Sequence, residues 1–180
     1  MHPSVIAHIA GPSGSGKTTL LNEIKKQFPH YSTADIDEFD EAAEKNLGYQ
    51  DTRKNNYSDA MLSSLNAEKQ RILNAFIAKN KNVVLAGHHT EGGYHLNIPT
   101  TNRFMLSTSP RVSAYRAFER EKGQHPGHER LESEIPADIR ENQKIVKELR
   151  GFGYKRVGAN DVLEYLRNLQ NKQSLGAQGS

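Results

Sequence analysis

Residues 11–18 form the stretch of this sequence with the most specific chemistry. They read Gly-Pro-Ser-Gly-Ser-Gly-Lys-Thr and match the pattern G-x-x-x-x-G-K-[ST] of a phosphate-binding loop, or P-loop. Glycines allow such a backbone to turn sharply and to approach a phosphate closely. The helix that begins near Gly16 adds its positive N-terminal end to the same place. We therefore expect a nucleotide-binding site, whose residues are Gly11, Ser13, Gly14, Ser15, Gly16, Lys17, Thr18 and Thr19.

Two side chains of the P-loop have individual roles in this prediction. Lys17 is expected to act in catalysis by bridging the β- and γ-phosphates of the nucleotide, and the Thr18 hydroxyl is expected to hold Mg²⁺. The expected cofactors are therefore ATP and Mg²⁺. The sequence leaves open whether GTP replaces ATP.

Two aspartates follow the second predicted strand. Asp35 and Asp37 lie two residues apart, so they could share one face if the extended geometry persists. One of them could accept a proton from a substrate hydroxyl, and the other could hold a metal-bound water or a second hydroxyl. Both are expected catalytic residues, and Asp37 is also the expected metal ligand beside Thr18. The alternative is that Asp37 caps the acidic helix that it begins.

If the site transfers a phosphoryl group from the nucleotide, the charge around the two aspartates indicates which class of molecule receives it. Acidic residues far outnumber the one lysine, Lys45, between residues 31 and 51. A phosphate-bearing acceptor would need a cationic pocket. The segment therefore favours an acceptor with a free hydroxyl, such as a nucleoside or a polyol, over a monophosphate. The monophosphate alternative stays open because Arg53 could turn toward the acceptor.

Arginines beyond the fourth predicted strand are candidates for stabilising the charge of a transferring phosphoryl group. Arg116 and Arg120 lie in the helix predicted over 110–122, and Arg130 lies in the polar segment that follows it. We expect at least one of these three arginines to be catalytic. The alternative is that the two helical arginines form solvated ion pairs with neighbouring glutamates, which contribute little.

Histidines follow the third predicted strand, where the substrate is expected to pass. His88 and His89 are adjacent, and with His95 they could form a metal site. No carboxylate pattern supports a metal site, and adjacent strand residues face opposite ways. Contact with the substrate and a structural role both stay open. Residues 91–93, Glu-Gly-Gly, are interpreted as a flexible turn.

Apolar runs and helical periodicity predict the elements that position these residues. The expected strands cover 5–10, 31–34, 82–87, 103–107 and 153–157. The expected helices cover 18–28, 38–46, 58–80, 110–122, 137–150 and 160–169, with Ser58 as the N-cap of the third. This alternation predicts an α/β fold in which helices cover both faces of a five-stranded parallel sheet. Ligands of such sheets gather at the carboxyl ends of the strands.

Length and composition exclude several classes of protein. A chain of 180 residues favours one domain. The absence of cysteine excludes disulfides, zinc–thiolate sites and cysteine nucleophiles, and it fits the cytoplasmic location that we expect. No apolar run reaches membrane-spanning length, and the first residues are unlike a signal peptide. The net charge of +3 is modest and no long Lys/Arg run occurs, so nucleic acid is not an expected partner.

The layout of residues 4–170 resembles the small P-loop kinases, which include shikimate, gluconate, nucleoside and nucleoside monophosphate kinases. The resemblance rests on the P-loop, on Asp35-x-Asp37, on residues 91–93 and on the arginine-rich segment after the fourth strand. It implies a three-layer P-loop NTPase fold with a small mobile lid at about 122–136. It also implies a loop at 158–160 that packs against adenine. The one expected domain covers 1–170, and the composition of the last residues, rich in Gly, Gln and Ser, predicts a flexible tail over 171–180.

One departure from related nucleotide-binding proteins concerns the third strand. That strand runs into Ala86-Gly87-His88-His89 and lacks the Walker B acid that motor ATPases and helicases use. The kinases that the sequence resembles tolerate this change, because a carboxylate elsewhere can hold the metal through water.

The expected activity is therefore transfer of the γ-phosphate of Mg-ATP to a hydroxyl of a small molecule of the nucleoside, polyol or sugar-acid type. A nucleoside monophosphate kinase is one alternative. A nucleotide-dependent switch or accessory ATPase, with a protein or nucleic-acid partner, is an alternative of another class. The identity of the acceptor and the oligomeric state stay open.

Overall fold

The computed structural model describes residues 5–49, 57–87, 90–91, 94–122 and 131–177, in which strands and helices alternate. The strands are β1 (Val5–Ala10), β2 (Ser32–Asp35), β3 (Val83–Ala86), β4 (Thr90–Glu91), β5 (Tyr94–His95), β6 (Arg103–Leu106) and β7 (Lys155–Val157). The helices are α1 (Lys17–Gln27), α2 (Ile36–Leu47), α3 (Asp59–Lys79), α4 (Pro110–Glu121), α5 (Ile135–Gly151) and α6 (Ala159–Ala177), with a 3₁₀ turn at Glu132–Glu134.

The main sheet has five parallel strands in the order β2-β3-β1-β6-β7. The predicted α/β fold with a five-stranded parallel sheet is therefore confirmed. A second, two-stranded sheet was not predicted. In it β4 pairs antiparallel with β5, with Glu91 opposite Tyr94. Two glycines join these strands in the sequence, which is a connection typical of a tight hairpin.

The chain divides into two compact units. The first unit comprises Met1–Gly11 and Lys17–Arg103, and the second comprises Pro12–Gly16 and Phe104–Ser180. Most of the P-loop thus belongs to the second unit, while its first and last residues belong to the first unit. One functional domain over 1–170 stays a prediction.

The core of the first unit is built around β3. All four residues of β3 are buried, as expected of a strand with a parallel neighbour on each side. The apolar face of α3 covers this strand through Leu73 and Ile77. Each fully buried aliphatic side chain of this kind stabilises the fold by roughly 1.5–3 kcal/mol. The register aligns the strand ends, since Ala86 lies opposite both Ile9 of β1 and Asp35 of β2.

Polar side chains at consecutive positions of α3 attach it to neighbouring segments of the first unit. Lys69 is almost fully buried and forms an ion pair with Asp40 of α2. Glu68 accepts hydrogen bonds from Arg71 and from Asn46 of α2, and these bonds lower the pKa of its carboxyl to about 2. These contacts fix α2, the helix that begins directly after β2.

The second unit contains α4 and α5, which pack on each other through Ala114, Phe118 and Ile135. Local sequence sets the start of α4. The Oγ atom of Ser109 accepts a hydrogen bond from the Val112 amide, and proline occupies the first helical turn. Ser109 thereby fixes where α4 begins beneath residues 12–16.

Element ends account for most differences from the sequence prediction. The tail predicted over 171–180 was wrong for its first part, because α6 continues to Ala177. Residues 170–175 contain no proline or glycine to stop a helix and are mostly good helix formers. Within the lid predicted over 122–136, residues 123–130 lie outside the described residues, and the described part includes the 3₁₀ turn and the start of α5. Among the described helices, none is long and apolar enough to cross a membrane.

Candidate functional site

The P-loop connects β1 to α1 and has the backbone of a phosphate cradle. Gly11, Gly14 and Gly16 have φ angles of 151°, 76° and 98°, a region that favours glycine. The amide of Ser15 donates to the carbonyl oxygen of Pro12 at 3.1 Å and closes a tight turn. These residues therefore have the special backbone that the motif requires.

Gly14 lies directly against the backbone of α4, within the second unit. A Cβ atom at this position would be 2.1 Å from the carbonyl oxygen of Ser113 and 3.0 Å from the amide nitrogen of Ala117. No other residue fits without moving a helix. The position of α4 therefore fixes the position of the loop, which is the rigidity that a phosphate site needs.

Ser15 presents a buried hydroxyl in the middle of the loop. Its backbone carbonyl accepts a hydrogen bond from the Thr108 hydroxyl at 2.9 Å. Its own Oγ atom is buried and has no hydrogen-bond partner among the described residues. A buried hydroxyl without a partner is costly, and a phosphate oxygen could accept its hydrogen. This part of the loop therefore fits a phosphate group.

Lys17 begins α1 and points back at the loop. Its Nζ atom donates to the carbonyl oxygen of Gly11 at 2.7 Å, within the first unit. The first turn of α1 contains no acidic residue, so the positive end of the helix is not neutralised locally. Thr18 and Thr19 follow in this turn with exposed side chains. The arrangement can attract and hold an anion.

Asp35 ends β2 and is the N-cap of α2. One of its carboxylate oxygens accepts a hydrogen bond from the amide of Asp37 at 3.2 Å. The extended geometry that would place both aspartates on one face does not persist, because α2 begins at Ile36. The capping role considered for Asp37 falls to Asp35, while Asp37 lies exposed in the first helical turn. Because α2 begins directly after β2, the two carboxylates have different surroundings, one partly buried and one exposed.

The surroundings of Asp35 raise the pKa of its carboxyl above the usual aspartate value. Burial is the largest cause, and the negative charges of Asp37 and Glu38 act in the same direction. The hydrogen bond from the Asp37 amide and the positive charge of Lys17 oppose the rise. A raised pKa makes a carboxylate a better proton acceptor, and perturbed pKa values are concentrated at functional sites.

Gly87 follows β3 and lies against the Asp35 carboxyl. Its φ angle is 126°, and a Cβ atom there would be 2.8 Å from Cβ of Ile36 and 3.1 Å from Oδ1 of Asp35. The residue directly after β3 is therefore a glycine and not an acid. The carboxylate of Asp35, from the adjacent strand β2, lies beside it. Asp35 thus combines partial burial with the electrostatic influence of Lys17, which belongs to the same unit.

Arg120 is the predicted catalytic arginine that contacts the P-loop. Its Nη2 atom donates to the Ser13 hydroxyl at 3.0 Å, and both residues belong to the second unit. The same atom lies 2.9 Å from a carboxylate oxygen of Glu121, which is the type of ion pair considered as the alternative. Arg116 is exposed on the same helix, and Arg130 lies outside the described residues.

Other predicted positions receive no structural description. His88, His89 and Arg53 lie outside the described residues, as does the side chain of His95. Within the part of the chain that the structure describes, no group of three His, Asp or Glu residues could hold a metal ion.

The sequence analysis missed two residues beside the site. Thr108, which holds the Ser15 carbonyl, follows β6 in a run of three hydroxyl residues that could have been noticed. The second is His8. It could have been noticed as the one polar residue in the otherwise apolar strand β1.

Comparisons with known proteins agree with the fold that carries these residues. A family model described as an AAA domain matches residues 8–137. No curated protein matches the sequence. Among solved structures, shikimate kinase from Acinetobacter baumannii in complex with shikimate shares 15% identity at a TM-score of 0.55, with 97% of each chain covered.

Two further solved structures have the same fold. TT1252 from Thermus thermophilus shares 18% identity at a TM-score of 0.58, covering 94% of this chain and 97% of that one. The tunicamycin resistance protein of Deinococcus radiodurans shares 16% identity at a TM-score of 0.55, covering 92% and 95%. The fold is thus that of the small P-loop kinases that the sequence resembles.

Proposed function

The chain belongs to the AAA domain family, and we propose that it is a phosphotransferase that moves the γ-phosphate of Mg-ATP to a hydroxyl of a small molecule. The observation that carries this proposal is the half-buried carboxyl of Asp35, which has a raised pKa and feels the charge of Lys17 of the P-loop. A proton acceptor near a phosphate-binding lysine is the pairing that phosphoryl transfer to a hydroxyl needs.

The P-loop supplies the donor half of the proposed reaction. Gly14 and Gly16 would let the backbone approach the phosphates, the buried Ser15 hydroxyl would donate to one of them, and Lys17 would neutralise their charge. Thr18 would hold a divalent cation, with Asp37 as a further ligand or as a partner of its bound water. When bound, the cation neutralises phosphate charge.

Asp35 supplies the acceptor half. In the proposed step a new bond forms between the acceptor oxygen and the γ-phosphorus, while the bond from that phosphorus to the bridging oxygen breaks and ADP leaves. The proton of the acceptor hydroxyl passes to the Asp35 carboxylate. The raised pKa of Asp35 favours this transfer, because a more basic carboxylate holds the proton better.

An arginine would stabilise the charge of the transferring group. Arg120 is the first choice, since its bond to the Ser13 hydroxyl keeps it beside the P-loop. The Arg120 side chain is about half exposed. Its guanidinium could therefore leave Ser13 and Glu121 and donate to a phosphate oxygen without breaking a buried contact. Arg116 and Arg130 remain alternative candidates, and a lid over about 122–136 remains part of the proposal.

The acidic character of α2 supports a hydroxyl-bearing acceptor over a phosphate-bearing one. Asp37 and Glu38 are exposed in its first turn beside Asp35. Asp40 contributes less to this charge, because the ammonium of Lys69 neutralises it. An acceptor of the nucleoside, polyol or sugar-acid type suits such a site better than a monophosphate.

The proposal is tested by ADP release from Mg-ATP against a panel of nucleosides, nucleoside monophosphates, shikimate and gluconate. We expect ADP release that depends on a hydroxyl acceptor and that is lost in Lys17→Ala. Asp35→Asn should lower kcat on the order of a hundredfold or more, because general-base catalysis typically contributes 10²–10⁴-fold. Glu41→Gln removes an exposed charge from the same helix and should leave kcat unchanged.

Other outcomes would point elsewhere. ADP release with monophosphates alone would indicate a nucleoside monophosphate kinase. Phosphate release from ATP without any acceptor would indicate an ATPase or a switch, a class that the missing acid after β3 makes less suitable. Unchanged kcat in both Asp35→Asn and Asp37→Asn would contradict a role for either carboxylate as the base.

A further inference from the structure

His8 is a fully buried polar residue in the centre of β1. The strand reads Val-Ile-Ala-His-Ile-Ala, and all six residues are buried. The exposed fraction of His8 is 0%. A polar side chain in such a place is costly unless it makes hydrogen bonds, so its bonds indicate what it does.

The imidazole of His8 holds the peptide that follows β3. Its Nε2 atom lies 3.1 Å from the carbonyl oxygen of Gly87. A carbonyl oxygen can only accept, so Nε2 carries the hydrogen and donates. The amide of Gly87 in turn donates to the carbonyl oxygen of Ile9 at 3.0 Å. Strand β1 therefore holds Gly87 at both its amide and its carbonyl.

Gly87 in turn forms one wall of the Asp35 site. Its α-carbon faces Oδ1 of Asp35 and Cβ of Ile36 so closely that a Cβ atom would lie 3.1 Å and 2.8 Å from them. Strand β3 ends at Ala86, so Gly87 lies one residue beyond the strand. The side chain of His8 supplies a hydrogen bond at the point where the strand has ended.

We propose that His8 is a positioning residue for Asp35, acting through the peptide of Gly87. Without the imidazole donor, the Gly87 carbonyl would be a buried acceptor that has lost this bond, and the chain after β3 would move to find another. The wall beside Asp35 would move with it. The effect on turnover rests on the proposed function, whereas the fixing of Gly87 does not.

The competing explanation is that His8 only fills space in the core. Two substitutions separate the explanations. His8→Leu introduces an apolar side chain of similar size and removes the hydrogen-bond donor. His8→Gln can still donate from its side-chain amide. A space-filling role predicts that leucine is the better replacement, and a positioning role predicts that glutamine is.

Amide hydrogen exchange of Gly87 tests the anchoring directly, without any substrate. We expect exchange at Gly87 to be about tenfold or more faster in His8→Leu and close to wild type in His8→Gln. The Phe28 amide, which donates a hydrogen bond to the carbonyl oxygen of Ile24 in α1, serves as the internal reference. Equal exchange at Gly87 in His8→Leu and wild type would overturn the proposal.

A measurement on the wild-type protein covers the case in which His8→Leu fails to fold. The ¹⁵N shifts of the imidazole report which nitrogen carries the hydrogen. We expect the Nε2–H form. An Nδ1–H form would overturn the proposal, because Nε2 could not then donate to the Gly87 carbonyl.

Steady-state kinetics then test whether the hydrogen bond from His8 to Gly87 affects the proposed reaction. We expect kcat to fall on the order of tenfold to a hundredfold in His8→Leu with KM for ATP unchanged, because small displacements of a catalytic group cost this much. His8→Gln should recover most of the loss. Leu73→Ala, which removes an apolar side chain from the buried cluster that packs on β3, should lower Tm and leave kcat unchanged.

The kinetic outcomes separate the two proposals. Wild-type kcat in a folded His8→Leu would overturn the positioning role. A wild-type protein without acceptor-dependent ADP release would overturn the proposed function instead, and the exchange at Gly87 would still decide whether His8 anchors that peptide.

Discussion

Replacing Gly14 of the P-loop by alanine should weaken nucleotide binding about a hundredfold, and the structure provides a control position with a similar backbone conformation. Gly14 has φ of 76° and lies against α4. Gly48, which ends α2, has φ of 72°, and a Cβ atom there would meet nothing within 4 Å. Gly14→Ala and Gly48→Ala therefore impose the same conformational strain, and only the first also creates a collision.

The magnitudes follow from these two terms. A left-handed conformation costs a non-glycine residue roughly 1–2 kcal/mol, and this cost applies to both variants. At Gly14 the added Cβ would be 2.1 Å from the carbonyl oxygen of Ser113, about 0.9 Å short of the closest approach that real Cβ atoms show. Both colliding groups are backbone, so the loop or α4 must move by about that distance. A 1 Å displacement can cost about a hundredfold, or about 2.8 kcal/mol.

The assay is titration of each variant with Mg-ATP, followed by urea unfolding of the same samples. We expect Kd to rise about a hundredfold in Gly14→Ala and to stay at the wild-type value in Gly48→Ala. Both variants should lose stability, and Gly14→Ala should lose more because the collision adds to the strain.

The reasoning would be refuted by wild-type affinity in a folded Gly14→Ala. It would also be refuted by an equal loss of affinity in both variants, since Gly48 makes no close contact and its substitution should act on stability alone. Either result would mean that the contact between Gly14 and α4 does not set the geometry of the loop.

Two predictions concern the stability of the first unit. Lys69→Met should lower the free energy of unfolding by about 3 kcal/mol in a urea titration, because it leaves the partly buried carboxylate of Asp40 without its ammonium partner; a loss below about 0.5 kcal/mol would contradict this. Ser58→Ala should cost about 1 kcal/mol by removing the N-cap of α3, whereas Ser64→Ala, in the interior of the same helix, should be neutral or slightly stabilising; equal effects of the two serine variants would show that the cap does not matter.

The sequence by itself determined the five strands of the main sheet, the six helices and the phosphate-binding motif. Strand β1 was predicted at its observed limits, and Ser58 caps α3 as its residue type indicated. These features depend on residues within one or two turns of each other. Apolar periodicity, caps and a contiguous motif can therefore be recognised without knowing what packs against them.

The tertiary structure decided what the candidate site is made of. The sequence presented both Asp35 and Asp37 as candidate catalytic residues, and the start of α2 directly after β2 makes Asp35 a half-buried cap and leaves Asp37 exposed. It offered three arginines, and of the two that lie among the described residues, Arg120 contacts Ser13. The first outcome depends on where strand β2 ends and helix α2 begins. The second depends on which helix packs against the P-loop.

His8 shows the same limit most clearly. The sequence presents it as one polar residue in an apolar strand, and nothing nearby in the chain explains it. Its partner, Gly87, lies 79 residues away. A hydrogen bond between such distant residues depends on the register of two parallel strands, and that register is set by the packing of the whole core. The phosphate-binding motif can therefore be recognised from local sequence, whereas the distances between residues such as His8 and Gly87 depend on long-range packing.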